Sequence, residues 1–167
     1  MGITVREVDP AHMGEDTRTL ETLAREIWTE YYTDMIGADQ VDYMLSNFQT
    51  AEAMARDITE RGFRYWIAYD GETPIGYCGA TLEETRIFLS KLYVMSTYRG
   101  RGISKLFMDA LTNWQQDAGA PTIELTVHKG NVDSIAVYQK LGFTIIDEWV
   151  KDIGQGFVMD DYLMSRA

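Results

Sequence analysis

The spacing of apolar residues changes character along the chain. Ile3 to Val8 alternates and reads as a first strand. From Thr17, Leu20, Leu23, Ala24, Ile27, Trp28 and Tyr31 recur at helical spacing and make one buried stripe. Asp39 to Ser46 reads as a short helix. Thr50 opens another, with Ala51, Met54, Ala55 and Ile58 on one face and Gly62 as its stop. The pattern then turns to strands. Arg64 to Tyr69 is rich in aromatic and β-branched residues, Asp70-Gly71 marks a turn, and Pro74 to Leu82 and Arg86 to Val94 are further strands. A glycine-containing turn leads into a helix whose core face is Leu106, Phe107, Ala110, Leu111, Trp114 and Ala118, ended by Gly119 and Pro121. Thr122 to Val127 reads as a strand, Asp133 to Leu141 as a helix closed by Gly142, and Phe143 to Val150 and Phe157 to Met164 as the last strands. Helices first, then a meander, then alternating strands and helices imply an α/β or α+β arrangement around one mixed sheet.

Composition narrows the reading. The 167 residues are 46% hydrophobic and 25% charged, which suits one globular domain spanning 1–167 with its own core. The net charge of −11 disfavours nucleic acid and anionic membrane as partners and favours cationic ones. No stretch free of Asp, Glu, Lys and Arg exceeds the 10 residues from Thr73 to Leu82, so no transmembrane helix is expected. Met1 to Arg6 has no apolar run of the kind a signal peptide needs, and a cytoplasmic location is the expectation. Cys78 reads as a small buried hydrophobe. With His12 and His128 as the only histidines, no metal site is expected.

One turn has chemical promise. In Val94-Met95-Ser96-Thr97-Tyr98-Arg99-Gly100-Arg101-Gly102-Ile103-Ser104-Lys105, a strand passes through two glycines straight into an amphipathic helix. Gly100 and Gly102 let the backbone tighten so that several N–H groups point one way. The helix start adds unpaired donors and the positive end of its dipole, which together suit a phosphate or pyrophosphate. Local charge agrees: from Lys91 to Lys140 basic residues outnumber acidic ones six to four, whereas the rest of the chain holds nine basic and 22 acidic. The turn fits neither G-x-x-x-x-G-K-[ST] nor G-x-G-x-x-G, since Lys105 occupies the third glycine position of the latter.

A second cluster, Asn131-Val132-Asp133-Ser134-Ile135-Ala136-Val137-Tyr138-Gln139-Lys140-Leu141-Gly142-Phe143, begins 29 residues after Gly102. With it the chain resembles the GCN5-related N-acetyltransferase (GNAT) family. The family's R/Q-x-x-G-x-G/A turn is matched by Arg99, Gly102 and, as a departure, Ser104. Its downstream N-x-x-(S/A)-x-x-x-Y-x-x-x-G-F pattern is matched by Asn131, Ser134, Tyr138, Gly142 and Phe143. The likeness covers Arg64 to Phe143 closely and the flanking segments loosely. It implies a mixed, mostly antiparallel twisted sheet flanked by helices, with a splayed parallel pair, Arg86–Val94 and Thr122–Val127, holding acetyl-CoA as co-substrate. It assigns the pyrophosphate to Arg99, Gly100, Arg101, Gly102, Ile103 and Ser104, and the pantetheine arm to Tyr93 and Val94, paired as an added strand would be. Asn131 is implied as a further cofactor contact. A backbone N–H near Val94 would meet the charge that develops on the thioester oxygen.

The implied reaction is attack of an amine on the thioester, with Tyr138 as the acid for the departing thiol. Tyr138 also shares a helical face with Ile135 and Leu141, so core packing explains it as well. An alkylamine with a pKa near about 10 must first lose a proton. Glu124 and the Glu83-Glu84 pair are candidate bases, and Ser90 and Lys91 lie on the central strand where they could line the site. Trp28, Tyr31 and Tyr32 are expected on the acceptor side. The acidic balance and a loose likeness to bacterial polyamine or diamine acetyltransferases, carried by Trp28 to Tyr32 and Phe157 to Met164, point to a small cationic amine such as a polyamine. Protein N-terminal acetylation and a non-catalytic acetyl-CoA-binding module stay open, and the resemblance allows a homodimer through the C-terminal strands.

Overall fold

The computed structural model describes residues 2–167; Met1, and with it the first position of the N-terminal reading, lies outside the described residues. Chain order is β1 (Ile3–Glu7), α1 (Gly14–Ile36), α2 (Ala38–Phe48), α3 (Ala51–Glu60), β2 (Arg64–Asp70), β3 (Thr73–Glu83), β4 (Arg86–Val94), α4 (Ile103–Ala118), β5 (Thr122–His128), α5 (Val132–Lys140), β6 (Thr144–Gly154) and β7 (Phe157–Arg166). One sheet runs in the order β1-β2-β3-β4-β5-β7-β6. Its one parallel pair is β4–β5; every other neighbouring pair is antiparallel. The mixed sheet with a parallel pair stands as the sequence implied.

Helix ends follow local chemistry. Thr50 caps α3 by accepting from Ala53 N–H at 3.0 Å. Asn131 does the same for α5, accepting from Ser134 N–H at 3.3 Å. Gly119, left-handed at φ 67°, closes α4. The first long helix starts at Gly14, earlier than its periodic stripe, with Glu15 and Asp16 in its first turn, where acidic groups suit the dipole. The sixth strand extends past Val150 to Gly154, because Gln155 and Gly156 close one long hairpin with β7.

The sheet has a core on each face. On one side Leu20, Leu23, Ile27 and Trp28 of α1, Val41 and Leu45 of α2 and Met54 of α3 pack against Tyr65, Ile67 and Tyr77. On the other, Ile103, Phe107, Met108 and Leu111 of α4 and Tyr138 of α5 cover Trp66, Cys78, Ile87, Leu89, Ile123, Leu125 and Met164. Each fully buried large side chain there contributes roughly 1.5–3 kcal/mol. Among the described residues no helix is long and apolar enough to cross a membrane.

Candidate functional site

The parallel strands separate at a defined place. β4 and β5 register from Arg86 with Thr122 to Leu89 with Leu125 and no farther, although β4 continues to Val94 and β5 to His128. A bulge sits at that point: Ala80 of β3 pairs with Leu89, but its neighbour Gly79 pairs with Lys91, leaving Ser90 as the extra residue. A bulge bends its strand and shifts the alternation by one. Lys91 and Tyr93, rather than Ser90 and Leu92, therefore join the α1–α3 face, where Lys91 reaches Phe48 and Tyr93 packs on Trp28 and Tyr32. Met95 N–H donates to the Ile75 carbonyl of β3 at 2.8 Å, so strand alternation turns the preceding N–H, that of Val94, into the gap.

Two cavities meet at this gap. One, of about 310 Å³, is walled by Tyr31, Val94, Arg99, Gly100, Gly102, Ile103, Ser104 and Lys105, with Val137, Lys140 and Leu141 of α5 opposite. The other, of about 480 Å³, opens on the α1–α3 face between β4, β5 and the β6–β7 hairpin, bounded by Trp28, Phe48, Lys91, His128, Trp149 and Asp161. Tyr32, Leu92, Tyr93, Ser134 and Tyr138 line both and form the junction.

The smaller cavity has the chemistry of an anion site. Gly100 and Gly102 take φ of 77° and 79°, a left-handed region that favours glycine, and the space where their Cβ atoms would stand is open. No side chain caps α4, so its first N–H groups are free to bond a ligand. Arg99, Lys105 and Lys140 add positive charge along the wall. Arg99 is steered there by Tyr31, its guanidinium lying 4.2 Å from the ring centre. The residues present thus fit a pyrophosphate.

At the junction, burial pushes the Tyr138 hydroxyl well above the ordinary phenol range, and the nearby Tyr32, Cys78 and Tyr31 add to it. Tyr138 stays protonated at neutral pH and can donate. The Tyr32 and Tyr93 hydroxyls are raised for the same first reason, so these phenols are neutral together. Asn131 is buried and ties helices across the site: its Oδ1 accepts from Tyr31 hydroxyl at 2.6 Å and its Nδ2 donates to Tyr32 hydroxyl at 3.1 Å. Lys91, buried against Asp57 at 3.7 Å, donates to the Phe48 carbonyl at 2.7 Å. Burial lowers its ammonium to about 8, partly opposed by Asp57.

Several expected site residues are corrected. Glu124 lines neither cavity. It faces the closed end of the strand pair, where it accepts from Arg86 Nη1 at 2.5 Å, Thr122 at 3.2 Å and Ser165 at 3.3 Å. Those bonds hold its carboxylate away from the gap. Glu83 pairs with Arg86 at 3.1 Å, and neither Glu83 nor Glu84 lines a cavity. The Arg101 side chain turns outward over Tyr98, 4.9 Å from the ring centre, which leaves its backbone in the turn as expected for a backbone role. Asn131 caps α5 as a helix-start residue, lines the larger cavity, and through its bonds to Tyr31 and Tyr32 ties α5 to α1. Ser104 leaves α4 uncapped and lies on the smaller cavity. Tyr93, Val94, Arg99, Gly100, Gly102, Ile103 and Tyr138 do come together along the gap.

The sequence reading missed Lys105, Lys140 and Asp161. Lys140 is foreshadowed by helical spacing, one turn from Val137, and Lys105 directly follows Ser104 in the first turn of α4. Asp161 shares a strand face with Leu163 and Met159, so an acid interrupting a buried alternation was its signal.

The sequence pattern of the acetyltransferase (GNAT) family matches residues 20–143. Human N-acetyltransferase 8 is 30% identical over 141 residues, which is 81% of this chain; the chain spans 55% of that relative's length. Thialysine N-epsilon-acetyltransferase of Caenorhabditis elegans is 26% identical over 99 residues, 56% of this chain and 62% of that one. Among solved structures, the PaiA N-acetyltransferase of Thermoplasma acidophilum in complex with coenzyme A superposes with a TM-score of 0.83 at 22% identity, covering 99% of both chains.

Proposed function

We propose, from the premise that this chain belongs to the acetyltransferase (GNAT) family, that it transfers the acetyl group of acetyl-CoA to a small primary amine by direct attack when both are bound. The observation that carries the reading is the continuity of the two cavities: an anion-binding turn at one end, a mixed pocket at the other, and a neutral buried phenol where they join. Acetyl-CoA supplies a thioester, an acyl donor open to amine attack. In this reading the turn from Arg99 to Ser104 and the side chains of Lys105 and Lys140 hold its phosphates. The Val94 N–H faces the thioester oxygen, where negative charge develops as the amine attacks, and stabilises it. Tyr138 gives its proton to the sulfur as the C–S bond breaks, since a thiol leaves better protonated.

The acceptor class follows from two observations that pull apart. The net charge of −11 favours a polycation such as a polyamine, by long-range attraction. The larger cavity, however, is bounded by Arg56, Arg61, Lys91 and Lys151 against Asp57, Glu60 and Asp161. A second ammonium far from the junction would face Arg56, Arg61 and Lys91. We therefore place an amine with one ammonium and a neutral or acidic remainder beside the polyamine as the acceptor to test. A homodimer through β6 is proposed on the exposed apolar edge considered below.

The test is calorimetric titration with acetyl-CoA, followed by thiol release against polyamines, aminoglycosides, amino acids, simple monoamines and N-terminal peptides. Binding with release on small amines supports the reading. Release confined to peptides makes it a protein N-terminal acetyltransferase, binding without release leaves a non-catalytic module, and absence of binding removes the cofactor from which the reading starts.

A further inference from the structure

Among the described residues that line the larger cavity, Asp161 carries a carboxylate oxygen that is buried without a partner. Asp161 of β7 lies in register with His128 of β5 and Trp149 of β6, on the face that also carries Met159 and Leu163. Its Oδ1 is buried and bonded to nothing among the described residues. Charged and titratable groups surround it without neutralising it. His128 accepts the Gly130 N–H on Nδ1 at 3.0 Å, a bond that needs that nitrogen unprotonated. Lys129 is committed to Glu148 at 2.6 Å and Asp160 at 3.0 Å. Lys151 of β6 is exposed. Tyr32 of α1 and Tyr93 of β4 face it as neutral phenols.

The other carboxylates on this cavity are placed differently. Asp57 accepts the Tyr65 hydroxyl at 2.8 Å and faces Lys91 and Arg61. Glu60 is exposed at the end of α3. A half-buried carboxylate whose inner oxygen has no hydrogen-bond partner is costly, and an ammonium delivered beside it recovers that cost.

Resting on the acetyl-transfer reading, we infer that Asp161 receives the acceptor's ammonium and takes its first proton, so that the amine reaches the thioester neutral. The nitrogen lone pair forms the N–C bond as the C–S bond breaks. Two protons leave the nitrogen in all. The first passes to Asp161 and on to water through the open cavity; the second replaces the proton that Tyr138 gave to the sulfur. Burial raises the Asp161 carboxyl, Asp160 adds to this, and His128, Lys151 and Lys129 oppose it; a raised carboxyl is the stronger base.

The test is Asp161→Asn in the full chain. Its thermal midpoint equals or exceeds that of the wild type, because a carboxylate oxygen buried without a hydrogen-bond partner is removed; a side chain holding the hairpin by its charge would give the reverse. At pH 7, kcat/KM for the best amine falls by about 10²-fold, within the range for a lost proton acceptor, while the acetyl-CoA Kd holds within about threefold. The deficit shrinks toward pH 10, where about half of the amine is already neutral. A deficit of equal size at every pH, or none at all, overturns the assignment. A second arm needs no turnover: n-butylammonium chloride raises the thermal midpoint of the wild type and not that of Asp161→Asn. If no amine is acetylated but this difference persists, the ammonium site stands and the acetyl-transfer reading falls; if both proteins respond alike, the ammonium site falls.

Discussion

At the scale of single residues, environment decides what each titratable group can do. Tyr138 is a phenol held neutral by burial at the meeting point of two cavities. Tyr138→Phe keeps the ring packed on Phe143 and removes only the hydroxyl. We expect kcat to fall by about 10²-fold or more, with the acetyl-CoA Kd within about threefold, read by thiol release and calorimetry. Lys91 shows the opposite effect of burial, its ammonium lowered to about 8 against 10.5 for an exposed lysine. Between these pH values the unfolded chain holds a proton that the folded chain does not, so unfolding free energy gains with rising pH; below pH 8 both states are protonated and the gain is absent. The raised phenols work against this above about pH 10, where the unfolded chain ionises them and the folded one does not. Urea titrations at pH 7.5, 8.5 and 9.5 isolate the lysine: the stability of the wild type relative to Lys91→Met grows by about 1–2 kcal/mol across that series. A constant difference means that Lys91 is not buried as a cation.

At the scale of elements, the start of α4 and the bulge in β4 do different work. The turn before α4 was readable because everything it needs is local: a strand, two glycines and a helix within a dozen residues. Its two glycines, expected to let the backbone tighten, are found in the left-handed region at φ 77° and 79°. Gly102→Glu strains that backbone by about 1 kcal/mol and puts a negative charge at the uncapped N-terminus. The expected outcome is loss of measurable acetyl-CoA binding in calorimetry, with the circular dichroism spectrum unchanged. Retained affinity would remove the turn as the phosphate site. The bulge was not readable. Simple alternation through Phe88-Leu89-Ser90-Lys91-Leu92-Tyr93 puts Ser90 and Leu92 on the face of Phe88, whereas the structure puts Lys91 and Tyr93 there. Nothing in β4 itself announces the shift, because it arises from how β4 registers on Gly79 and Ala80 of another strand. Glu124 misled for a related reason: proximity to the splayed pair was legible, but which end of the pair stays closed was not.

At the scale of the molecule, β6 forms one edge of the sheet, and its hairpin leaves Ile145, Val150 and Val158 exposed on the face shared with Met164, beyond the cover of α5. An apolar edge strand is open to pairing with another copy. We expect sedimentation equilibrium to give twice the chain mass, and Val150→Lys to return it to the monomer; a wild type that sediments as a monomer at about 50 µM rules the pairing out. The sequence by itself determined the period of most elements, their capping residues and the two-glycine turn that leads into α4, because these depend on interactions among residues a few positions apart. It also carried the pair of motifs that marks the family. Only the tertiary structure decided that β7 inserts between β5 and β6, that the gap opens beyond Leu89, and that Asp161 rather than Glu124 lines the larger cavity. Those outcomes depend on which strand edges meet and in what register, and a one-residue change of register sends a side chain to the opposite face of the sheet.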